Sequence, residues 1–151
     1  MLTFLQFIQE EIVHPAHSLG IGRAEMPQVR SFNVTDFLSF LNHHGAGHHE
    51  EEVEATSLKP VQKEINMDRV TPSAQVNKKP LVSKDNYILD GHHRWYPCFL
   101  RQQGAYKAFL GNEALTIIRI AMNIRPLLDL TKQYPKVEFA DINHFSTPVA
   151  A

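Results

Sequence analysis

Tyr87-Ile88-Leu89-Asp90-Gly91-His92-His93-Arg94-Trp95 is the stretch whose reading decides the fold of this chain. It opens as an apolar strand, crosses a glycine and ends on two imidazoles and a guanidinium, where a helical pattern begins. A helix start carries unsatisfied backbone N–H groups and the positive end of the macrodipole, which suits an anion such as phosphate. Arg94 adds a planar fork for phosphate oxygens, and His92 and His93 add donors or a base close to neutral pH. Asp90, just before the turn, can hold a divalent cation between itself and those phosphates. Gly91 is expected to let the backbone approach the ligand where a β-carbon would obstruct it. The competing reading is a buried polar turn that caps a helix and binds nothing.

Working outward, Pro80-Leu81-Val82-Ser83 and Tyr87 to Asp90 read as two short strands around Lys84-Asp85-Asn86, residues that tolerate tight turns. The hairpin delivers the Asp90–Arg94 motif to its end. Downstream, Trp95, Cys98 and Phe99 share one helical face, and Pro97 belongs in a first turn, which places the helix start at about residues 93–96. Gly104 should end that helix. Cys98 on the apolar face reads as core. Arg94, Arg101 and Lys107 form a locally basic stretch, the one place from which DNA contact is conceivable. Leu115 to Ala121 is rich in β-branched residues and reads as a core strand. Arg125 to Gln133 reads as a last helix with Leu127, Leu128 and Thr131 inward, and Val137-Glu138-Phe139 as a final edge strand.

Upstream, residues 2–13 place Phe4, Leu5, Ile8 and Ile12 on one helical face, an N-terminal helix that can dock on its own domain or on a second copy. Leu19 to Gln28 contains two glycines and a proline and reads as a shaped loop, with Arg23, Glu25 and Gln28 as its polar groups. That loop can fold over the helix start as a lid. Asn33 caps a helix in which Val34, Phe37, Leu38 and Leu41 repeat at helical spacing. His43 to Glu52 holds four of the nine histidines; Gly45-Ala46-Gly47 between the pairs argues for a solvated, flexible loop rather than a pre-oriented metal site. Val53 to Leu58 reads as a short strand, Val61 to Arg69 as a short helix with Val61 and Ile65 inward, and Thr71 to Lys79 as irregular.

The composition bounds the rest. At 151 residues, 43% hydrophobic and 21% charged, the chain fits one globular domain. A net charge of −1 argues against a dedicated nucleic-acid binder, which is usually strongly basic. One cysteine cannot form an internal disulfide, and no apolar run approaches the ~18 residues of a membrane span. Without a basic n-region ahead of its first apolar residues, the chain does not read as secreted. The expectation is a cytoplasmic protein with no membrane partner.

Asp90-Gly91-His92-His93-Arg94 after a strand hairpin resembles the nucleotide-binding signature of the ParB/sulfiredoxin superfamily, which includes ParB-type CTPases, sulfiredoxin, free-serine kinases and phage ParB-like nuclease proteins. Gly22-Arg23-Ala24-Glu25-Met26-Pro27-Gln28 and Leu58-Lys59-Pro60-Val61-Gln62-Lys63-Glu64 are similar to the phage-type members. The resemblance spans roughly residues 19 to 142, leaving 1–18 as an N-terminal helix and linker and 143–151 as a mobile tail. It implies an α+β fold with a small mixed sheet covered by helices. It also implies a nucleoside triphosphate (ATP or CTP) with Mg²⁺, held by Gly91, His92, His93 and Arg94, with Arg23 and Gln62 nearby. The implied activity is that of a metal-dependent NTPase or nuclease, with Asp90 as metal ligand or orienter and His93 as acid or base. If phage-encoded, the protein would act in the host cytoplasm.

Departures from the family pattern narrow this. Sulfiredoxin has its reactive cysteine within Gly-Cys-His-Arg, and His92 stands at that position, so the sulfiredoxin reaction is not expected. ParB-type CTPases carry Gly-Glu-Arg-Arg, of which only the last arginine is kept, and no helix-turn-helix is evident. Free-serine kinases use a glutamate after an early strand; Gln62 is the nearest counterpart and an amide cannot take the proton, so a kinase would depend on Glu64 or Glu25. A third alternative is a non-catalytic phage binding or virion-associated protein in which the pocket is vestigial.

Overall fold

The computed structural model describes residues 12–66, 79–101 and 114–139. In chain order they form β1 (Ile12–Val13), α1 (Val34–His43), β2 (His48–Val53), β3 (Lys59–Pro60), β4 (Ile65–Asn66), β5 (Leu81–Val82), β6 (Tyr87–Asp90), α2 (His92–Arg101), β7 (Leu115–Ile120) and α3 (Ile124–Lys132). Five strands make one sheet in the order β2-β7-β5-β6-β3, while β1 and β4 pair separately and antiparallel. Within the sheet β7–β5 and β6–β3 are parallel, and β2–β7 and β5–β6 are antiparallel. The expected mixed sheet with helices is therefore present.

Alternation along the strands divides the core in two. Leu81, Leu89 and Ile120 pack with Phe37, Leu38 and Leu41 of α1 and Ile124, Leu127 and Leu128 of α3. Val82, Ile88, Leu115 and Ile117 point the other way and pack with Trp95, Tyr96 and Cys98 of α2. Side chains two apart on a strand share a face, so a three-layer arrangement follows directly from the register. Cys98 is core, as its place in the helical pattern indicates. The Trp95 indole satisfies its N–H by donating to the Ala55 carbonyl at 2.7 Å.

The helix and hairpin expectations hold in most places. In α1, Phe37, Leu38 and Leu41 are buried. The helix ends in a Schellman turn: Gly45 at φ +86° donates to the Asn42 carbonyl, and Ala46 donates to the Leu41 carbonyl. Asn33 precedes α1 but makes no side-chain cap bond, because a 3₁₀ turn over Ser31–Asn33 already feeds the helix. The hairpin turn at 84–86 carries Asn86 at φ +71°. Asp85 Oδ1 accepts from Ser83 Oγ at 2.5 Å and from the Ile124 N–H at 2.9 Å, so the turn also caps α3.

Other stretches differ from their expected form. His48 to Glu52 is not a loop: with Val53 it forms β2, a six-residue strand at one end of the sheet. Its pairing with β7 supplies the hydrogen bonds, and charged side chains suit an edge position. Glu51 pairs with Arg119 at 2.9 Å, and that guanidinium also donates to the Ser83 carbonyl and to Asn86 Oδ1. The Arg119 partner holds the Glu51 carboxyl below its usual range. Residues 53–58 contain a 3₁₀ turn, Ala55–Ser57, in place of a strand. Residues 61–66 are extended or irregular rather than helical, and Ile12–Val13 is a strand. The remainder of the expected N-terminal helix, residues 67–78, Gly104, Lys107 and the tail lie outside the described residues. Val137-Glu138-Phe139 contributes one antiparallel bridge, Glu138 to Gln28, beside an ion pair between Arg30 and Glu138. Among the described residues no helix is long and apolar enough to cross a membrane.

Candidate functional site

Strand β6 ends at Asp90, a carboxylate only 4% exposed, and the chain turns at Gly91 into α2. Gly91 has φ +99°, and a β-carbon there would stand 2.8 Å from Pro80 Cα. The glycine is therefore required by the neighbouring strand of the hairpin. Close approach of a ligand, the expected reason, is not needed to explain it. The Gly91 carbonyl closes the first turn by accepting from the Arg94 and Trp95 N–H groups at 3.0 and 2.9 Å. His92 and His93 open the helix, at the end where its macrodipole is positive. The helix begins at His92, earlier than Pro97 suggested; Pro97 lies in the second turn, where it removes the N–H that would have met the His93 carbonyl.

His92 has a role that differs from the expected one. Its ring is buried, and Nε2 accepts two backbone hydrogen bonds, from Val61 N–H at 2.9 Å and Gln62 N–H at 3.2 Å. Those donors assign the remaining proton to Nδ1. Burial, with a smaller contribution from neighbouring His93, lowers the imidazole to about 3. A neutral ring with Nε2 so committed cannot lend positive charge to phosphate. His92 is a brace between the helix start and the segment after β3.

That brace extends through a third segment. Ile21 forms a parallel bridge with Gln62; its N–H donates to the Val61 carbonyl, and its own carbonyl accepts from Lys63 N–H. Ser18 Oγ donates to the Gln62 carbonyl at 2.6 Å and accepts from Gly20 N–H at 2.9 Å. The loop bearing Arg23, the stretch bearing Gln62 and the helix start are thus laced together by backbone hydrogen bonds. Arg23 and Glu25 sit in a 3₁₀ turn two residues beyond the bridge. The Arg23 side chain is half-buried, and that burial lowers its guanidinium from its usual value. Glu25 is exposed, Glu64 half-buried and Gln62 buried. Gln28 takes its backbone bonds from Glu138, away from this lacing.

Arg94 and His93 are half-buried on the first turn of α2. Arg94 Nε is enclosed with no hydrogen-bond partner among the described residues. A guanidinium N–H in that state is stabilised by an acceptor, preferably a charged one. For Mg²⁺, no group of three or more His, Cys, Asp or Glu side chains able to hold an ion occurs among the described residues, the histidines at 43–49 included. Asp90 is the acidic residue at the turn. An ion there would take its other ligands from phosphate and water, as Mg²⁺ commonly does beside one carboxylate. The Arg101 side chain and Lys107, on which a basic patch for DNA depended, lie outside the described residues.

Sequence reasoning missed Ser18 and Pro80 and misjudged His92. A histidine directly after a helix-capping glycine, adjacent to an apolar strand, is a signal of burial; the identity of its donors is tertiary information. Comparison with known proteins finds no matching family model, no matching curated protein and no matching solved structure.

Proposed function

We propose that this chain is a ParB/sulfiredoxin-type nucleotide-binding domain that holds the phosphates of a nucleoside triphosphate at the start of α2. The observation that carries the reading is the lacing of three separate segments, 18–23, 60–63 and 91–94, through the His92 and Ile21 bonds. The second and third of these segments lie within two of the motifs that carry the family resemblance, and the first leads directly into the remaining motif at Gly22-Arg23. In this reading the His92 and His93 N–H groups and Arg94 bind phosphate oxygens, and Arg23 approaches from the loop. Arg94 places positive charge where negative charge grows during phosphoryl transfer or hydrolysis. His93 is the acid or base, because His92 is withheld from that role by its backbone bonds. Asp90 would hold Mg²⁺, which supplies charge neutralisation between phosphate oxygens. A small-molecule kinase is the second reading, favoured by Glu64, which is half-buried where Glu25 is exposed. An activating base gains from partial desolvation.

The experiment is thermal unfolding with ATP or CTP, with and without Mg²⁺, on the wild type and two variants. A ligand at ~100 times its Kd adds about 2.7 kcal/mol of stability. Arg94→Ala should weaken binding about ten- to a hundredfold, the value of a charged hydrogen bond, and Arg94→Lys should restore only part of it. Asp90→Asn should retain metal-free binding and lose the Mg²⁺-dependent gain. Absence of stabilisation by any nucleotide would sink the proposal.

A further inference from the structure

A groove of about 410 Å³ is lined by Pro15 and His17, by Ser57 and Lys59, and by Trp95 and Phe99 of α2. Its volume falls within the range of small-molecule sites. Three features make it more than a packing gap. The first is the lining: it includes rings of proline, histidine, tryptophan and phenylalanine, side chains suited to a planar occupant. The second is charge. Lys59, whose ammonium also lies 5.3 Å from the centre of the Tyr87 ring, and His17 contribute donors. The Ser57 hydroxyl donates to the Glu54 carbonyl and so offers an acceptor, and among the described residues no carboxylate lines the groove. The third is construction. His17 has φ +62°, a left-handed conformation that non-glycine residues rarely adopt. It precedes Ser18, whose hydroxyl bonds to the Gln62 carbonyl and fasten the loop in place.

Two of the segments that line the groove, 56–60 and α2, lead along the chain to the helix start. The 56–60 segment passes directly into Val61 and Gln62, whose N–H groups bind His92. The α2 segment passes from Phe99 and Trp95 to His92, a run of roughly 5–10 Å at the helical rise. That is the reach from a nucleobase through ribose to its phosphates. We propose that this groove holds the base and ribose of the nucleotide whose phosphates bind at the start of α2. The base lies flat between the proline rings and the exposed part of Phe99, its acceptor atoms facing Lys59 and His17 and a donor facing the Ser57 oxygen. This assignment rests on the nucleotide reading above, and it adds which surface of the protein senses the base.

Trp95 is the single tryptophan of the chain, so its fluorescence reports on the groove. The test titrates the full-length protein, with Mg²⁺, against ATP, CTP and inorganic tripolyphosphate, reading Trp95 emission and calorimetric affinity. At least one nucleotide should bind about five- to a hundredfold tighter than tripolyphosphate, the range that base stacking on aromatic side chains supplies, and only nucleotides should shift Trp95 emission. Thr56 lines the same groove and is exposed, so Thr56→Phe fills it from outside the fold. That variant should abolish the advantage of nucleotide over tripolyphosphate while leaving tripolyphosphate affinity unchanged. Lys59→Ala should reduce the advantage in part. Equal affinity for nucleotide and tripolyphosphate with Trp95 emission unmoved would overturn the groove assignment and leave the phosphate site standing. Failure of all three to bind would overturn both.

Discussion

Strand β6 has a turn at each end, and the two are built from similar parts. Lys84-Asp85-Asn86 enters it and Asp90-Gly91-His92-His93-Arg94 leaves it; each has an aspartate and one residue at positive φ. They differ in how their polar groups are used. At the entry, Asp85 accepts from Ser83 and the Ile124 N–H, and Asn86 Oδ1 accepts from Arg119. At the exit, His92 is equally committed, to Val61 and Gln62, but Arg94 keeps a buried N–H without a partner among the described residues. A turn whose polar groups are satisfied internally is structural. A turn that holds a guanidinium N–H in reserve has capacity for something outside the chain.

The largest effect should come from Gly91→Ala. It combines a left-handed φ with a β-carbon pressed on the Pro80 backbone, and such strain and overpacking together cost roughly 2–6 kcal/mol. Urea unfolding measures it; a loss below about 1 kcal/mol would mean that the exit turn is pliable and the contrast between the turns is overstated.

Next in size is the pH dependence contributed by His92. Folded His92 is lowered to about 3 from an ordinary value of 6.5, so the unfolded chain binds the proton more readily between those limits. Stability from this group is therefore full above pH 6.5 and declines as pH falls toward 3, with a slope of up to about 1.4 kcal/mol per pH unit. His92→Gln keeps a side-chain acceptor for Val61 and Gln62 but does not titrate. Comparing unfolding of wild type and variant at pH 7 and 4.5 should show the steeper decline in wild type; parallel declines would refute the buried, neutral state of the ring.

Asp85→Ala should cost about 1–3 kcal/mol, since it leaves the Ile124 N–H uncapped and strips Ser83 of its acceptor. Arg94→Ala should change stability by less than about 0.5 kcal/mol, because no internal hydrogen bond of Nε is lost. Its cost should appear only in ligand affinity. A large stability loss for Arg94→Ala would make both turns structural and remove the distinction between them.

Much of this organisation is legible in the sequence where one physical signal dominates. The periodicity of Phe37, Leu38 and Leu41, the β-branched run of β7 and the turn-prone Asp85-Asn86 each identify their element. Legibility fails where hydrogen bonding or burial comes from a distant segment. His48-His49-Glu50-Glu51-Glu52 has no apolar alternation, and only its pairing with β7 makes it a strand. Val61 and Ile65 have helical spacing, yet they pack into the two different halves of the core, so their spacing reflects a chain passing from one face to the other. At the candidate site, the passage from strand to helix is legible at Asp90-Gly91, while Pro97 points to a helix start at about residues 93–96 rather than at His92. The use of His92 is not legible, because its partners lie 31 and 30 residues away.

The bond from Ile124 N–H to Asp85 joins residues 39 apart in sequence. It can form only after β7 has threaded beside β5, since α3 follows β7. The hairpin itself closes locally within microseconds, long before such a distant segment returns. The Asp85 carboxylate thus belongs to two moments of folding: it helps to shape its own turn early, and it clasps α3 late. Interactions formed after the rate-limiting barrier govern escape from the native state. The clasp should therefore act as a latch in time, so that Asp85→Ala accelerates unfolding more than it slows folding in stopped-flow chevrons.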